Sequence, residues 1–187
     1  MHRALKGLFA ALRDHEKDTP GFTKNLRLHF IGTSYAPAGR GVKSIEPHTT
    51  EFGLNAVVRE HPDRIPYSQT LRCLLDADAL MVPGSDDPGY TASKIYPYLL
   101  ARTPLLAIFH DQSSVVSLMR GVGGGLCVPF SSEQTTESLA GRIRGSWLEN
   151  GQWRRVVPLD EAAFEPFTAR ASARRLTALF ERCLCRT

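Results

Sequence analysis

No apolar run in the sequence approaches the ~20 residues that a membrane-spanning helix needs. The amino-terminal residues, interrupted by Arg3 and Lys6, read as an amphipathic helix and not as a signal peptide. There is no dense basic run and little aromatic interleaving. At a net charge of +4, nucleic-acid binding is not suggested, while the mild basicity suits anionic substrates or a membrane surface. Cysteine is scarce: Cys73 and Cys127 lie in apolar segments and read as core residues, and Cys183-x-Cys185 has no further metal ligands beside it in the sequence. A reducing, cytoplasmic setting fits this usage, with peripheral membrane contact left open. Repeats and low-complexity tracts are absent. Two phosphate-binding signatures are also missing. The stretch Gly39-Arg-Gly-Val-Lys-Ser44 has Val42 where a Walker loop needs glycine, and the glycines of 121–125 precede a strand, whereas a dinucleotide fingerprint places them between strand and helix.

What is present suits one globular domain. The 187 residues, 42% hydrophobic and 22% charged, bury a sizeable core but are short for two domains. The chain is organised around residues 80–109. Short continuous apolar runs at 79–82 and 105–109 have the pattern of parallel strands covered on both faces. Between them lie a loop rich in Gly, Pro, Asp and Ser and a helix over about 93–102, which together make a βαβ unit. Ligands in such sheets bind beyond the carboxyl ends of the strands, where 84–93 must lie. Pro97 would clash with the carbonyl of a helical Ser93, so Ser93 is expected to be the N-cap. Free N–H groups around 93–95, backed by the helix dipole, then make either an anion site suited to phosphate or an ordinary capped helix.

Around this unit the order is α-β-α-β-α-β-α-β-α-β-α-α, which predicts an α/β fold with a doubly wound, mainly parallel sheet. Leu5, Leu8, Phe9 and Leu12 predict a first helix over 2–17, followed by a strand at 26–31 in which His29 reads as a packed residue. A helix broken by Pro47 is expected over 44–54, then a short strand at 56–59. Ser68 is read as the cap of a helix carrying Leu71, Leu74 and Leu75, with Tyr67 as a hydrophobic staple onto it. His110 and Asp111 leave a strand at its carboxyl end, which invites an acid/base reading, although adjacent loop residues usually point apart. Ser113 or Ser114 caps the next helix. A strand at 126–130, a helix at 136–149, an irregular stretch at 150–166 and a final helix at 172–185 complete the chain.

The run Ser93-Lys-Ile-Tyr-x-Tyr-Leu-x-Ala-x-x-Pro-Leu-Leu-Ala107, after a strand ending Val82-Pro-Gly-Ser85, resembles the donor-binding half of GT-B glycosyltransferases. That family's segment reads Pro-Ser-Lys-hydrophobic-aromatic-Glu-Tyr-hydrophobic-Ala-x-Gly-x-Pro-Val-hydrophobic-Ala. Its helix start holds the diphosphate of a nucleotide-sugar and its Glu holds the ribose. Here Pro97 stands in place of that Glu, Gly89 falls where related enzymes often carry a second glutamate, and Arg102 replaces the usual Gly. The resemblance spans about residues 5–184, with its specific part at 84–107.

The resemblance implies a Rossmann-like half of a GT-B fold, forming a single unit over 1–187. It also implies a sugar transferase that works without a metal or other cofactor, of the kind used in polysaccharide biosynthesis. Its donor would be a nucleotide diphosphate-sugar, and its acceptor a glycan or lipid-linked sugar held by another domain. Ser93 and Lys94 would hold the diphosphate, with Ser85, Tyr90, Thr91 and Ala92 lining the sugar or ribose side. Thr33 and Ser34 would border the cleft, Ile65 and Tyr67 the base, and His110 the substrate. A GT-B donor domain opens with a central strand before its first helix, whereas this chain opens inside that helix. It is therefore expected to be the carboxyl half of a longer enzyme, lacking its first strand and inactive alone, with no catalytic residue named. Two rivals remain: a non-catalytic binding or regulatory domain, and a GT-B-like sugar-nucleotide epimerase using Asp86, Asp87 and His110.

Overall fold

The structure is a computed structural model that describes residues 2–184, so Cys185 lies outside the described residues. Its strands form two small parallel sheets. β1 (Leu28–Ile31) pairs with β2 (Val58–His61), and β3 (Leu80–Pro83), β4 (Leu105–His110) and β5 (Leu126–Phe130) make the second sheet in that order. The registers align Leu28 with Val58, Leu80 with Leu105 and Leu106 with Leu126. No ladder joins β1 to β3. The expected single doubly wound sheet is thus divided, and the α/β parallel class holds.

Apolar periodicity accounts for how the layers pack. α1 (His2–Asp18) buries Leu5, Leu8, Phe9 and Leu12 on one face of both sheets. There they join Leu28 and Phe30 of β1, Leu106 and Ile108 of β4, and Leu139 and Ile143 of α5 (Thr136–Ile143). The other face of the three-stranded sheet carries α2 (Tyr67–Asp76), α3 (Ile95–Leu100) and α4 (Ser114–Val122), through Leu74, Ile95, Leu99, Val115 and Met119. β4 therefore has helices on both sides and is buried along its whole length, the reason it reads as an unbroken apolar run. β1 and β2 alternate buried and exposed residues and are covered on one face only. His29, expected to be packed, stacks on His61 on the bare face, with ring centroids 5.7 Å apart.

Several local expectations are corrected. Residues 44–54 form two 3-10 turns, Glu46–His48 and Thr50–Phe52, and not an α-helix. α2 begins at Tyr67 with Pro66 in the cap position, so Ser68 is not its cap, and Tyr67 is 71% exposed and staples nothing. Cys73 is exposed, since it faces away from the buried Leu74. Cys127 is partly buried against the apolar cluster, and burial pushes its thiol up to about 11, leaving it inert at neutral pH. α5 passes into a π-helical turn, Arg144–Glu149, and the stretch after it holds a short helix, α6 (Glu161–Phe164). In α7 (Ala169–Leu184) only Ala171 is buried, and Leu176, Leu179 and Phe180 face solvent. No helix among the described residues is long and apolar enough to cross a membrane.

Arg102 has φ 53, the one non-glycine residue with positive φ among those described. The left-handed conformation costs a side-chain-bearing residue about 1 kcal/mol, and glycine avoids that cost. The Arg102 guanidinium pairs with Glu161, but both side chains are more than half exposed, so the pair adds little. Arg102→Gly is therefore expected to raise stability by about 0.5 kcal/mol despite losing the pair, read as a small increase in thermal midpoint. A lowered midpoint would show that the surface pair outweighs the backbone strain.

Candidate functional site

Polar loops gather at the carboxyl ends of the parallel strands, because each strand must leave the sheet there to reach its next helix. Beyond β1 the chain turns at Gly32 (φ 71), whose N–H donates to the His61 carbonyl. Residues 33–46 then fold around one carboxylate. Glu60 is 3% exposed. Its Oε1 accepts from the Thr33 hydroxyl at 2.6 Å and the Ser44 N–H at 3.0 Å, and its Oε2 accepts from the N–H groups of Ile45 (2.7 Å) and Glu46 (3.0 Å). Burial alone would raise the acid's pKa. The converging hydroxyl and amide donors outweigh it and hold Glu60 below its ordinary value. The amide cluster beside the near-Walker stretch is thus already occupied by the chain's own anion. Thr33 and Ser34 serve the loop as well, since the Ser34 hydroxyl accepts from the Ala36 N–H at 3.1 Å.

Beyond β3, Gly84 donates its N–H to the Ile108 carbonyl at 2.7 Å. The next residues make a tight polar turn. Ser85 Oγ accepts from the Asp87 N–H, and Asp87 Oδ1 from the Gly89 N–H. The Tyr90 carbonyl is tied to the Ser113 hydroxyl at 3.2 Å. The expected Ser93 cap is corrected here. α3 starts at Ile95, with Lys94 in the cap position and no capping side chain. Pro97 therefore falls at the third helical residue, where its missing N–H has no helical partner to lose. α3 has only six residues, so little dipole stands behind Ser93 and Lys94, and both side chains are exposed.

Beyond β4, His110 is 4% exposed, its ring edge-on to Phe130. Nε2 lies 3.1 Å from the Ser132 hydroxyl and Nδ1 lies 3.2 Å from Asp111 Oδ1. His110 and Asp111 were expected to point apart. They meet because β4 ends at His110 and the chain turns back, with the Ser113 N–H donating to the His110 carbonyl. The Gln112 N–H also approaches Nδ1, at 3.3 Å. Nδ1 can accept from Gln112 or donate to Asp111, according to tautomer, but not both at once.

Two concavities of about 320 Å³ each adjoin these loops. One is an apolar groove lined by Thr91, Ala92, Ile95, Tyr96, Val115 and Phe167, which brings together the sequence-predicted Thr91 and Ala92. The other is a cleft lined by His2, Arg3, Lys6, Asp86 and Thr136, none of which the sequence had indicated except Asp86. It lies where the seventeen-residue α1 and the eight-residue α5 both begin. The Arg3 N–H donates to Asp86 Oδ1 at 3.2 Å, and its guanidinium donates to the Gln134 carbonyl. Lys6 is half-buried and has no ion pair among the described residues. Ile65 lies between β2 and α2 and Tyr67 opens α2, and neither lines these two concavities. No group of three or more potential metal ligands occurs among the described residues. Searches of family models, of curated proteins and of solved structures return no match to this chain.

Proposed function

We propose that this chain is a sugar-nucleotide-binding module, the donor-binding half of a GT-B-type glycosyltransferase, and that it holds the donor's diphosphate in the cleft where α1 begins. The observation that carries this reading is the convergence there of Arg3, Lys6 and His2 with two helix starts, at the carboxyl edge of a parallel sheet. A diphosphate needs cationic side chains, and α1 supplies a far longer dipole than α3. Lys6 acts as a point charge and the Arg3 fork fixes orientation. The Asp86 carboxylate, which accepts the Arg3 N–H, also lines the cleft. Sugar transfer would further require an acceptor held in line with the donor, the role of the partner domain in that family. Non-catalytic binding is the second reading, favoured by Pro97 in place of the ribose-holding glutamate.

Calorimetric titration with pyrophosphate and with nucleoside diphosphates tests the reading. Binding is expected at about 0.1–1 mM, because phosphate contacts in an open cleft stay hydrated. Lys6→Ala and Arg3→Ala are each expected to weaken it roughly tenfold, the worth of one charge-assisted hydrogen bond. Lys94→Ala is expected to matter less. Equal affinity in the Lys6 and Arg3 variants would refute the assignment.

A further inference from the structure

We propose that α7 lies in the plane of an anionic membrane surface, with its apolar face among the headgroups and its arginines against lipid phosphates and carboxylates. This inference rests on the helix alone and does not depend on the ligand reading. α7 is tied to the chain near its start. The Ala171 N–H donates to the Thr168 hydroxyl at 3.1 Å, the Ser172 N–H donates to the Thr168 carbonyl, and the Arg174 guanidinium meets Glu165. Beyond Ala171 every residue through Leu184 is exposed. A sixteen-residue helix without a packed face is marginal in water, so a surface that covers it stabilises it.

The helical period places Leu176, Leu179, Phe180, Cys183 and Leu184 within one arc of about 140°. Phe180 follows Ala171 by about two and a half turns and so points away from the side that the fold covers. The four large residues of the arc, Leu176, Leu179, Phe180 and Leu184, are 47–75% exposed. The contact that buries Ala171 therefore cannot also close over this arc.

Charge selects the occupant. Arg170, Arg174, Arg175 and Arg182 stand against one glutamate, Glu181, so α7 carries +3 of the chain's net +4. Arg170 and Arg175 flank the arc, about 110° to either side of its centre. From there a long side chain lays its stem along the acyl boundary and brings its charge to the headgroups. Arg175 donates to the Ser172 hydroxyl at 3.2 Å and Arg182 to the Ala178 carbonyl at 3.3 Å. Both contacts are with neutral groups of the same helix, so neither charge is offset by them. A second copy laid face to face would set +3 against +3, which is repulsive. A bilayer rich in anionic lipid supplies the opposite charge and an apolar layer together. At about 24 Å, with arginines on both flanks, α7 lies along such a surface and does not cross it.

Sedimentation of the full chain with vesicles tests the proposal. Phosphatidylcholine vesicles with about 30% phosphatidylserine are expected to bind at least roughly tenfold more tightly than phosphatidylcholine alone, with affinity falling as salt is raised. Arg175→Gln and Arg182→Gln are each expected to weaken binding roughly fivefold. Phe180→Ser is expected to weaken it roughly tenfold or more, and to leave the thermal midpoint unmoved because the site is exposed. Phe180→Trp is expected to add an emission that shifts to the blue on anionic vesicles. Equal binding to both kinds of vesicle, or binding to neither, would overturn the proposal. Polyglutamate that binds as tightly as the anionic vesicles, with no loss in Phe180→Ser, would show charge acting alone and overturn it too. A dimer in solution that Phe180→Ser dissociates would assign the face to a second copy and overturn membrane docking.

Discussion

Glu60→Ala is expected to destabilise the protein by about 3–5 kcal/mol, the largest effect of any single substitution considered, because five hydrogen bonds from one loop end on that carboxylate. The loss is not only of bonds. The Ile45 and Glu46 N–H groups, packed under Ile45 (1% exposed), would be left facing a cavity with no acceptor. Glu60→Gln keeps the shape and one accepting oxygen, so about half that cost is expected. Because folding holds the carboxyl below its ordinary value, its contribution is complete above the ordinary pKa of 4.5 and is lost as the pH falls below it. Chemical denaturation measured at pH 7 and at successively lower pH should therefore show the native chain and Glu60→Gln converging in acid. A constant gap between them would mean that the charge of Glu60 is not what organises the loop.

Gly84→Ala is expected to cost about 2–3 kcal/mol, lowering the thermal midpoint by roughly 5–10 °C. A Cβ at this position would sit 2.4 Å from Phe109 Cδ1 and 2.8 Å from the Ile108 carbonyl oxygen. Neither neighbour can yield: Phe109 is fully buried, and the Ile108 carbonyl accepts the Gly84 N–H itself. The strand end must therefore move, and it carries Ser85 and Asp86 at the cleft. Phe109→Leu in the same chain should recover part of the loss, since it removes the atoms in the way. A thermal midpoint unchanged in Gly84→Ala would show that the β3–β4 rung is softer than its geometry indicates.

The parallel strands were legible in the sequence for a definite reason. Leu105–His110 is covered by helices on both faces, and burial on both sides writes an uninterrupted apolar run. α1 was equally plain, because Leu5, Leu8, Phe9 and Leu12 recur at helical spacing and all are buried. The loop over 44–54 was misread because its conformation is set from outside. Glu60, a polar residue in an alternating strand, looks in the sequence like a solvent-facing position, yet it is the acceptor around which Ser44, Ile45 and Glu46 wind. Ser93 was a sound steric reading of Pro97, but shifting the helix start by one residue relieves the clash equally well. Cleft residues Arg3 and Lys6 were invisible as a site, since on α1 they look like the ordinary polar face of an amphipathic helix. The periodicity of α7 showed a face suited to burial without showing whether anything covers it.

The central claim, that the cleft at the start of α1 holds a diphosphate, is tested most directly by mapping backbone amide shifts during titration with a nucleoside diphosphate. The account predicts saturable shifts at Arg3, Lys6, Asp86 and Thr136, reproduced by pyrophosphate and reduced in Lys6→Ala, with the loop around Glu60 unmoved. Shifts confined to residues 39–46 or to 91–95, or none at all up to about 10 mM ligand, would contradict it.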